Sequence, residues 1–193
     1  YEGGVWDDAN RAALDVAERE GLTYVHPFAN PTVIAGQGTI GLEILEDMPE
    51  IDVLLVAVGG GGLISGISIA AKTLRPTIQV IGVEPVGAPT LYESLRAGQV
   101  VELPEIRTAA NTLAPRMSAA LNLEIIQQYV AEIVLVTDEE MQEAAQWLWF
   151  ELGIATELSG AAAVAALLTG KVHVLPSQKV CALICGAGTD GIS

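Results

Sequence analysis

Four consecutive glycines, Gly59, Gly60, Gly61 and Gly62, form the segment of the sequence with the clearest chemical meaning. They follow an apolar, β-branched run over residues 53–58 and precede an apolar stretch with helical spacing. A strand, a glycine turn and a helix in this order expose backbone amides and the positive end of a helix dipole. The segment therefore predicts a binding site for an anion, and a phosphate group is its natural ligand.

Two other phosphate motifs and a plain turn compete with this interpretation. A nucleotide P-loop requires a lysine after its last glycine, whereas Gly66 is followed by Ile67. A dinucleotide fingerprint that begins at Gly60 requires glycine or alanine where Ser65 stands, although Glu84 follows where a ribose-binding carboxylate is expected. A turn without a ligand needs fewer glycines. The phosphate interpretation is favoured, and a nicotinamide enzyme stays open as a weaker alternative.

The composition argues against several classes of protein. The 193 residues carry a formal net charge of −15 with only 9 lysines and arginines, which opposes binding to a nucleic-acid backbone. Cys181 and Cys185 have no second pair, so neither a disulfide framework nor a zinc site is predicted, and a reducing cytoplasm fits best. Residues 53–71 carry no charge, but the glycines among them favour a strand, turn and helix over a membrane span.

Helices and strands alternate along the chain, and the apolar runs are rich in Val, Ile, Leu and Ala. This pattern predicts one α/β unit with an open, mostly parallel sheet and helices on both faces. Thr137 and Glu140 have the spacing of a capping box at the start of a helix. The predicted helices cover residues 7–20, 39–47, 63–74, 118–129, 138–151 and 160–168. The predicted strands cover residues 22–26, 53–58, 79–83, 132–136 and 179–185, and residues 85–116 are less regular.

Five segments occur in an order that resembles a known family. They are HPFANPTVIAGQGTIGLEIL (26–45), VAVGGGGLISGISIAAK (56–72), VIGVEP (80–85), TELSGAAAVAALL (156–168) and ICGAGTD (184–190). Together they resemble the threonine/serine dehydratases of the fold-type II pyridoxal-phosphate enzymes, a group that also includes serine racemase. The resemblance runs through essentially all 193 residues. It implies that residues 1–193 are the cofactor-binding, large-domain portion of such an enzyme.

The resemblance assigns cofactor roles to the glycine segment and to two later residues. It implies that the amides of residues 59–62 and of Leu63 hold the phosphate of pyridoxal phosphate. It places Cys185 at the pyridine nitrogen, where a neutral thiol does not keep that nitrogen protonated and so favours loss of a β-hydroxyl over transamination. It places Glu157 near the cofactor ring. The structural alternative for Cys185 is a small buried residue without a ligand. The structural alternative for Glu157 is a solvated carboxylate at a helix start.

The resemblance also implies a cation site, of which this sequence keeps only part. Glu84 and the carbonyl of Ala88 match two groups that bind a divalent or monovalent cation in some relatives. The third ligand, an acidic side chain, is replaced by Thr90, a poorer ligand for a hard cation. A solvated or helix-capping Glu84 is the alternative. Asn111 and Thr112 stand where the family commonly has Asp-Gly, in a loop close to the substrate.

The Schiff-base lysine of the family has no counterpart in this sequence. The family carries that lysine in an N-terminal segment, and the lysines present here are Lys72, Lys171 and Lys179. Lys72 is expected roughly 15 Å from the glycines, at the far end of a helix. We therefore predict that this chain alone binds the phosphate group but does not turn over substrate. His26 and Phe28 match a stretch that borders the cofactor, with a hydrogen-bonded structural role as the alternative for His26.

The function that the resemblance implies is β-elimination of water from L-threonine or L-serine, which gives a 2-oxo acid and ammonia. A racemase of the same family and a non-catalytic binding or regulatory module that keeps the fold are the alternatives. We expect a small amino-acid substrate, a cytoplasmic location, and no nucleic-acid or membrane partner. Because 51% of the residues are apolar, we also expect a homo-oligomer such as a dimer, or a surface that the lysine-bearing segment covers.

Overall fold

The computed structural model describes residues 6–192, in which four parallel strands form one sheet with helices on both faces. Tyr1 to Val5 and Ser193, the two ends of the predicted domain, lie outside the described residues. The helices are α1 (Trp6–Glu20), α2 (Pro31–Asp47), α3 (Gly62–Leu74), α4 (Thr90–Ala97), α5 (Ala120–Tyr129), α6 (Asp138–Leu152) and α7 (Leu158–Leu168). The strands are β1 (Val53–Ala57), β2 (Gln79–Pro85), β3 (Glu132–Val136) and β4 (Val180–Ala182). Two short 3-10 helices cover Asn111–Leu113 and Asp190–Ile192.

The strands lie in the order β3-β2-β1-β4, and β1 is buried on both faces of the sheet. Side chains alternate between the faces of a strand. Val53 and Leu55 accordingly pack with α6 and α7, whereas Leu54 and Val56 pack with α3 and α5. This double burial explains why β1 is an uninterrupted apolar run, and the predicted α/β class is confirmed.

Helices α2 and α3 approach each other backbone to backbone. A Cβ on Gly66 would overlap the carbonyl oxygen of Ile34 and lie 2.7 Å from the amide nitrogen of Gly38. A Cβ on Gly41 would lie 3.0 Å from the carbonyl oxygen of Ile67. Glycine at these positions therefore sets how closely α2 packs on α3, the helix that begins at the glycine segment.

Two of the predicted strands differ from the structure. Residues 22–26 form no strand, because this segment lies outside the sheet and its rings pack locally, with the Tyr24 and His26 rings edge to face and their centroids 6.1 Å apart. The last strand is shorter than predicted, because β4 pairs with β1 only from Val180 to Ala182. Leu183 N still donates to the carbonyl oxygen of Leu55 at 3.0 Å, and Cys185 lies beyond this last hydrogen bond to β1.

Helices α2 and α6 begin at residues that cap them with a side chain. The capping box is confirmed, since Glu140 N donates to Thr137 Oγ1 and Thr137 N donates to Glu140 Oε2. The start predicted for α2 is wrong: the helix begins at Pro31, because the Asn30 side chain accepts a hydrogen bond from Thr32 N at 2.8 Å. Within residues 6–192, no helix combines the length and the apolar character needed to cross a bilayer.

Candidate functional site

The glycine loop, residues 59–62, and Cys185 meet at the carboxyl edge of the sheet. The loop follows β1 and Cys185 follows β4, which pairs with β1 on the side away from β2. A crevice forms where the strand order of an open parallel sheet switches direction in this way, and ligands bind there. The crevice holds a cavity of about 560 Å³, a size found for small-molecule sites. The cavity is lined by the glycine loop together with Leu63, Thr112, Glu157 and Cys185.

The first turn of α3 presents backbone amides that no side chain caps. Gly61 is the N-cap residue, and its φ of 90° lies in the left-handed region that favours glycine. The starts of α2 and α6 are capped by Asn30 and Thr137, but α3 has no such side-chain hydrogen bond. The amides at the start of α3 are therefore available to an anion, which the helix dipole also attracts.

Crowding by neighbouring protein atoms explains why the loop needs so many glycines. A Cβ on Gly60 would lie 2.6 Å from Cδ2 of Phe28, and a Cβ on Gly62 would lie 2.7 Å from Cα of Phe28. A Cβ on Gly59 would lie 2.9 Å from the carbonyl oxygen of Thr112. The loop is thus packed between two other segments of the chain, and bare backbone is what fits there.

Cys185 contributes a neutral thiol to the cavity. Desolvation by the protein around the sulfur raises the pKa of the Cys185 thiol, and the negative charge of Glu157 raises it further. Because an ordinary cysteine already titrates above neutral pH, Cys185 stays protonated at pH 7. A neutral partner is what the family resemblance implies for the pyridine nitrogen of the cofactor.

Glu157 stands at the start of α7 but its side chain lies in the cavity wall. Its Oε1 accepts a hydrogen bond from Thr112 Oγ1 at 3.2 Å. A Cβ on Gly186 would lie 2.9 Å from Glu157 Cγ, so the segment after β4 packs closely against this side chain. The carboxylate therefore lies between that segment and the 3-10 helix that contains Thr112. The Thr112 contact was not predicted, because residues 112 and 157 are far apart in sequence.

Glu84 is fully buried and caps α4 rather than facing solvent. Its Oε1 accepts from Leu91 N and its Oε2 from Tyr92 N, both at 2.8 Å. The carbonyl of Ala88 accepts from Thr90 N at 2.9 Å. Residues 6–192 contain no group of three His, Cys, Asp or Glu side chains placed to hold a metal ion. The geometry matches the helix-capping alternative for Glu84, and the cation site at Glu84 and Ala88 stays a prediction.

The burial of Glu84 predicts a pH-dependent stability. Burial raises the pKa of Glu84 from 4.5 to about 8, although the two backbone hydrogen bonds lower it. Between these values the folded protein holds a proton that the unfolded chain releases, so the stability present at low pH is lost as pH rises. We expect the free energy of unfolding to fall by roughly 5 kcal/mol across this window. Urea denaturation at a series of pH values measures the fall.

Glu84→Gln removes the titrating group, so we expect this variant to lose most of the pH dependence. Glu93→Gln is the matched control, because Glu93 is partly exposed on α4 and contributes only a smaller charge effect to the pKa of Glu84. We expect the free energy of unfolding of the control to depend on pH nearly as steeply as that of the wild type. Equal slopes in wild type and Glu84→Gln would contradict the assignment of the titration to this carboxyl group.

The three lysines of the sequence lie outside the cavity wall. Lys72, in the last turn of α3, donates through Nζ to a backbone carbonyl at 3.3 Å. Lys171 forms an ion pair with Glu140 at 3.0 Å, and Lys179 pairs with Glu50. The positions of their side chains therefore give no covalent link to a cofactor bound at the glycine loop.

An aromatic cluster borders the loop and includes a residue that the sequence did not reveal. The ring of Phe28 lies 4.8 Å from that of Trp6 and 4.5 Å from that of His26, centroid to centroid. His26 Nδ1 accepts a hydrogen bond from Ala29 N at 3.1 Å, and burial lowers the pKa of the imidazole. Trp6 and Phe28 both line the cavity. No sequence motif marks Trp6 as a site residue, because its contact with Phe28 forms only in the folded protein.

Uncapped amides and a neutral thiol in one crevice of a parallel sheet are the features from which we predict a site for an anionic ligand in this α/β protein. A family model described as pyridoxal-phosphate dependent enzyme matches residues 1–186. The chain therefore belongs to the family of pyridoxal-phosphate dependent enzymes, and its fold is that of the fold-type II members.

The relatives are similar over nearly the whole of this chain. It is 43% identical to the L-threonine ammonia-lyase of Thermotoga maritima over 189 residues, which are 98% of this chain and 47% of that enzyme. The processed form of threonine deaminase isoform 2 from Solanum lycopersicum has a TM-score of 0.88 and 34% identity, covering 98% of this chain and 55% of its own. Maize serine racemase has a TM-score of 0.86 and 33% identity, and the match covers 94% of this chain and 58% of the racemase chain. The chain spans about half the length of the curated relatives it matches.

The residues that line the cavity fit pyridoxal phosphate. Amides without a capping side chain suit a phosphate dianion. The apolar side chains of Trp6, Phe28 and Leu63 suit a flat aromatic ring, and the Cys185 thiol suits a ring nitrogen. Every one of these groups lies in the wall of the same cavity.

Proposed function

We propose that this chain is the cofactor-binding, large-domain portion of a dehydratase that uses pyridoxal phosphate to remove water from L-threonine or L-serine. The observation that carries the proposal is one cavity that combines the uncapped start of α3 with Cys185 and Glu157. The names of an L-threonine ammonia-lyase and a threonine deaminase among the relatives support threonine as a substrate. The products of the proposed reaction are a 2-oxo acid and ammonia.

Each cavity residue has a defined part in this proposal. Pyridoxal phosphate, when bound, supplies an electron sink that stabilises negative charge at the α-carbon of an amino acid. The amides of Gly59, Gly60, Gly61, Gly62 and Leu63 bind and orient the phosphate. The Cys185 thiol would hold the ring nitrogen without a negative charge to keep it protonated. With the ring nitrogen held in this way, Cys185 would favour expulsion of the β-hydroxyl over transamination.

Substitution of Cys185 in the whole protein tests the role proposed for its neutral thiol. We expect Cys185→Asp to lower the rate of 2-oxo acid formation by roughly one to two orders of magnitude, because a carboxylate would stabilise a protonated ring nitrogen. Cys185→Ser is the matched control, since a hydroxyl is also neutral, and it is expected to retain most of the rate. The assay follows 2-oxo acid and ammonia from L-threonine and from L-serine. Equal rates for the two variants would contradict the role given to the neutral thiol.

Serine racemisation is the second candidate function, because maize serine racemase is similar in both sequence and structure. Both reactions begin with removal of the α-proton. They differ in whether the β-hydroxyl then leaves or a proton returns to the opposite face. Measuring D-serine beside the 2-oxo acid separates the two reactions. Cofactor binding with neither product would indicate the non-catalytic module instead.

The location and assembly of the whole protein are further parts of the proposal. Cys181 and Cys185 are both free thiols, which supports a reducing, cytoplasmic compartment. Trp147, Trp149 and Phe150 on α6 are 41%, 42% and 78% exposed, which supports a homo-oligomer such as a dimer that covers them. The net charge of −15 argues against a nucleic-acid partner.

A further inference from the structure

The carbonyl oxygen of Gly60 accepts two hydrogen bonds from side chains behind the glycine loop. Ser118 donates through Oγ at 2.9 Å, and Asn122, in the first turn of α5, donates through Nδ2 at 2.8 Å. Ser118 is 4% exposed and Asn122 is fully buried. Neither side chain belongs to the cavity wall, so both hold the loop from its protein side.

These two bonds fix the orientation of the Gly60–Gly61 peptide. The peptide group is planar and trans, so its N–H points opposite to its C=O. With the Gly60 carbonyl directed at Ser118 and Asn122, the N–H of Gly61 is turned away from α5. Gly61 also lines the cavity, which is the side from which an anion would reach this amide.

Asn122 links the loop to the segment that packs against it. The same Nδ2 donates to the carbonyl oxygen of Phe28 at 2.8 Å, and both partners can only accept, which fixes the amide orientation. The Oδ1 of Asn122 is buried without a hydrogen-bond partner within the described part of the chain. A buried unsatisfied acceptor is costly, and an apolar residue would avoid that cost. Asparagine is therefore suited to this position because its amide nitrogen donates the hydrogen bonds to Gly60 and Phe28.

We propose that Ser118 and Asn122 are positioning residues that preorganise the phosphate-binding loop before its ligand arrives. This inference rests on the proposed function, because it assumes that the loop binds the cofactor phosphate. Glycine loses more conformational freedom on ordering than any other residue. A loop that is already fixed by side chains behind it binds its ligand with a smaller entropic cost.

The test compares Ser118→Ala and Asn122→Asp with Ser68→Ala in the 193-residue chain. Ser68 is the matched control, because its buried hydroxyl also donates to a backbone carbonyl, that of Ser65 at 3.1 Å, within α3. Quenching of tryptophan fluorescence, to which Trp6 in the cavity wall contributes, measures the Kd for pyridoxal phosphate. Thermal melts of the same samples measure stability. The shift of the Gly61 amide on addition of inorganic phosphate, followed by ¹⁵N NMR, reports the loop directly.

We expect the Kd to rise roughly five- to tenfold in Ser118→Ala and in Asn122→Asp and to stay unchanged in Ser68→Ala. The phosphate-induced shift of the Gly61 amide is expected to shrink in the same two variants. A lowered Tm with an unchanged Kd in Ser118→Ala would overturn the inference, because the side chain would then serve stability alone. Ser118→Ala removes a single hydroxyl and decides the question even if Asn122→Asp does not fold. Failure of the wild-type chain to bind either ligand would instead overturn the proposed function, and the inference with it.

Discussion

We expect Gly66→Ala to lower the free energy of unfolding by roughly 3 kcal/mol or more, at the upper end of the usual range for overpacking. The added Cβ would overlap the carbonyl oxygen of Ile34 and lie 2.7 Å from Gly38 N. Both are backbone atoms, so no side-chain rotation relieves the contact. The two helices must separate, which disrupts the close packing of α2 on α3.

Gly36→Ala is the matched control for this prediction. Gly36 lies in the same helix pair, but a Cβ there would meet no atom within 4 Å. Because alanine is the better helix former, we expect this variant to gain up to about 1 kcal/mol. Urea denaturation of the two variants and the wild type gives the comparison. If Gly66→Ala changed the free energy of unfolding by no more than Gly36→Ala does, α2 and α3 would not be in backbone contact.

Leu63→Asp is expected to abolish most of the affinity for pyridoxal phosphate while the chain stays folded. Leu63 is the second residue of α3 and lines the cavity. Leu63 is only partly buried against the core, and a carboxylate in the first turn of a helix stabilises the helix, which offsets part of the lost packing. The same carboxylate competes for the uncapped amides and repels a phosphate dianion. We expect the Kd to rise roughly 100-fold relative to a neutral side chain of the same size.

Leu63→Asn supplies that neutral comparison, because it loses the same packing as Leu63→Asp without adding a charge. Titration of both variants with pyridoxal phosphate, at low and at high salt, measures the charge effect. The difference between them is expected to shrink as salt screens the repulsion. Similar affinities for the two variants would place the phosphate away from the start of α3.

Features that depend on local sequence were predictable. The parallel sheet follows from apolar runs that are buried on both faces, and the capping box follows from the spacing of Thr137 and Glu140. The prediction of an anion site at the glycine loop also rests on local order, since a strand, glycines and a helix are consecutive there. The family resemblance added Cys185, whose place beside the loop depends on the pairing of β1 with β4.

Features that depend on tertiary contacts were not predictable. Residues 22–26 alternate like a strand, but no ladder partner reaches them among the described residues. The sequence offered a helix-capping Glu84 only as an alternative, and the helix that it caps becomes clear only from the tertiary contact of its carboxylate with the start of α4. Ser118 and Asn122 act on Gly60 across about sixty residues of sequence, so no spacing rule identifies them. An asparagine in an otherwise apolar helix start was the only local signal.

The most direct measurement is a titration of the purified 193-residue chain with pyridoxal phosphate, recorded as an absorbance spectrum and a melting temperature. The structure predicts saturable binding that raises the Tm, because the ligand binds only the folded state. It also predicts no absorbance band of a lysine-linked cofactor, because Lys72, Lys171 and Lys179 lie outside the cavity wall. A lysine-linked band, or no change in either signal, would contradict the assignment of the glycine loop as a non-covalent cofactor site in this chain.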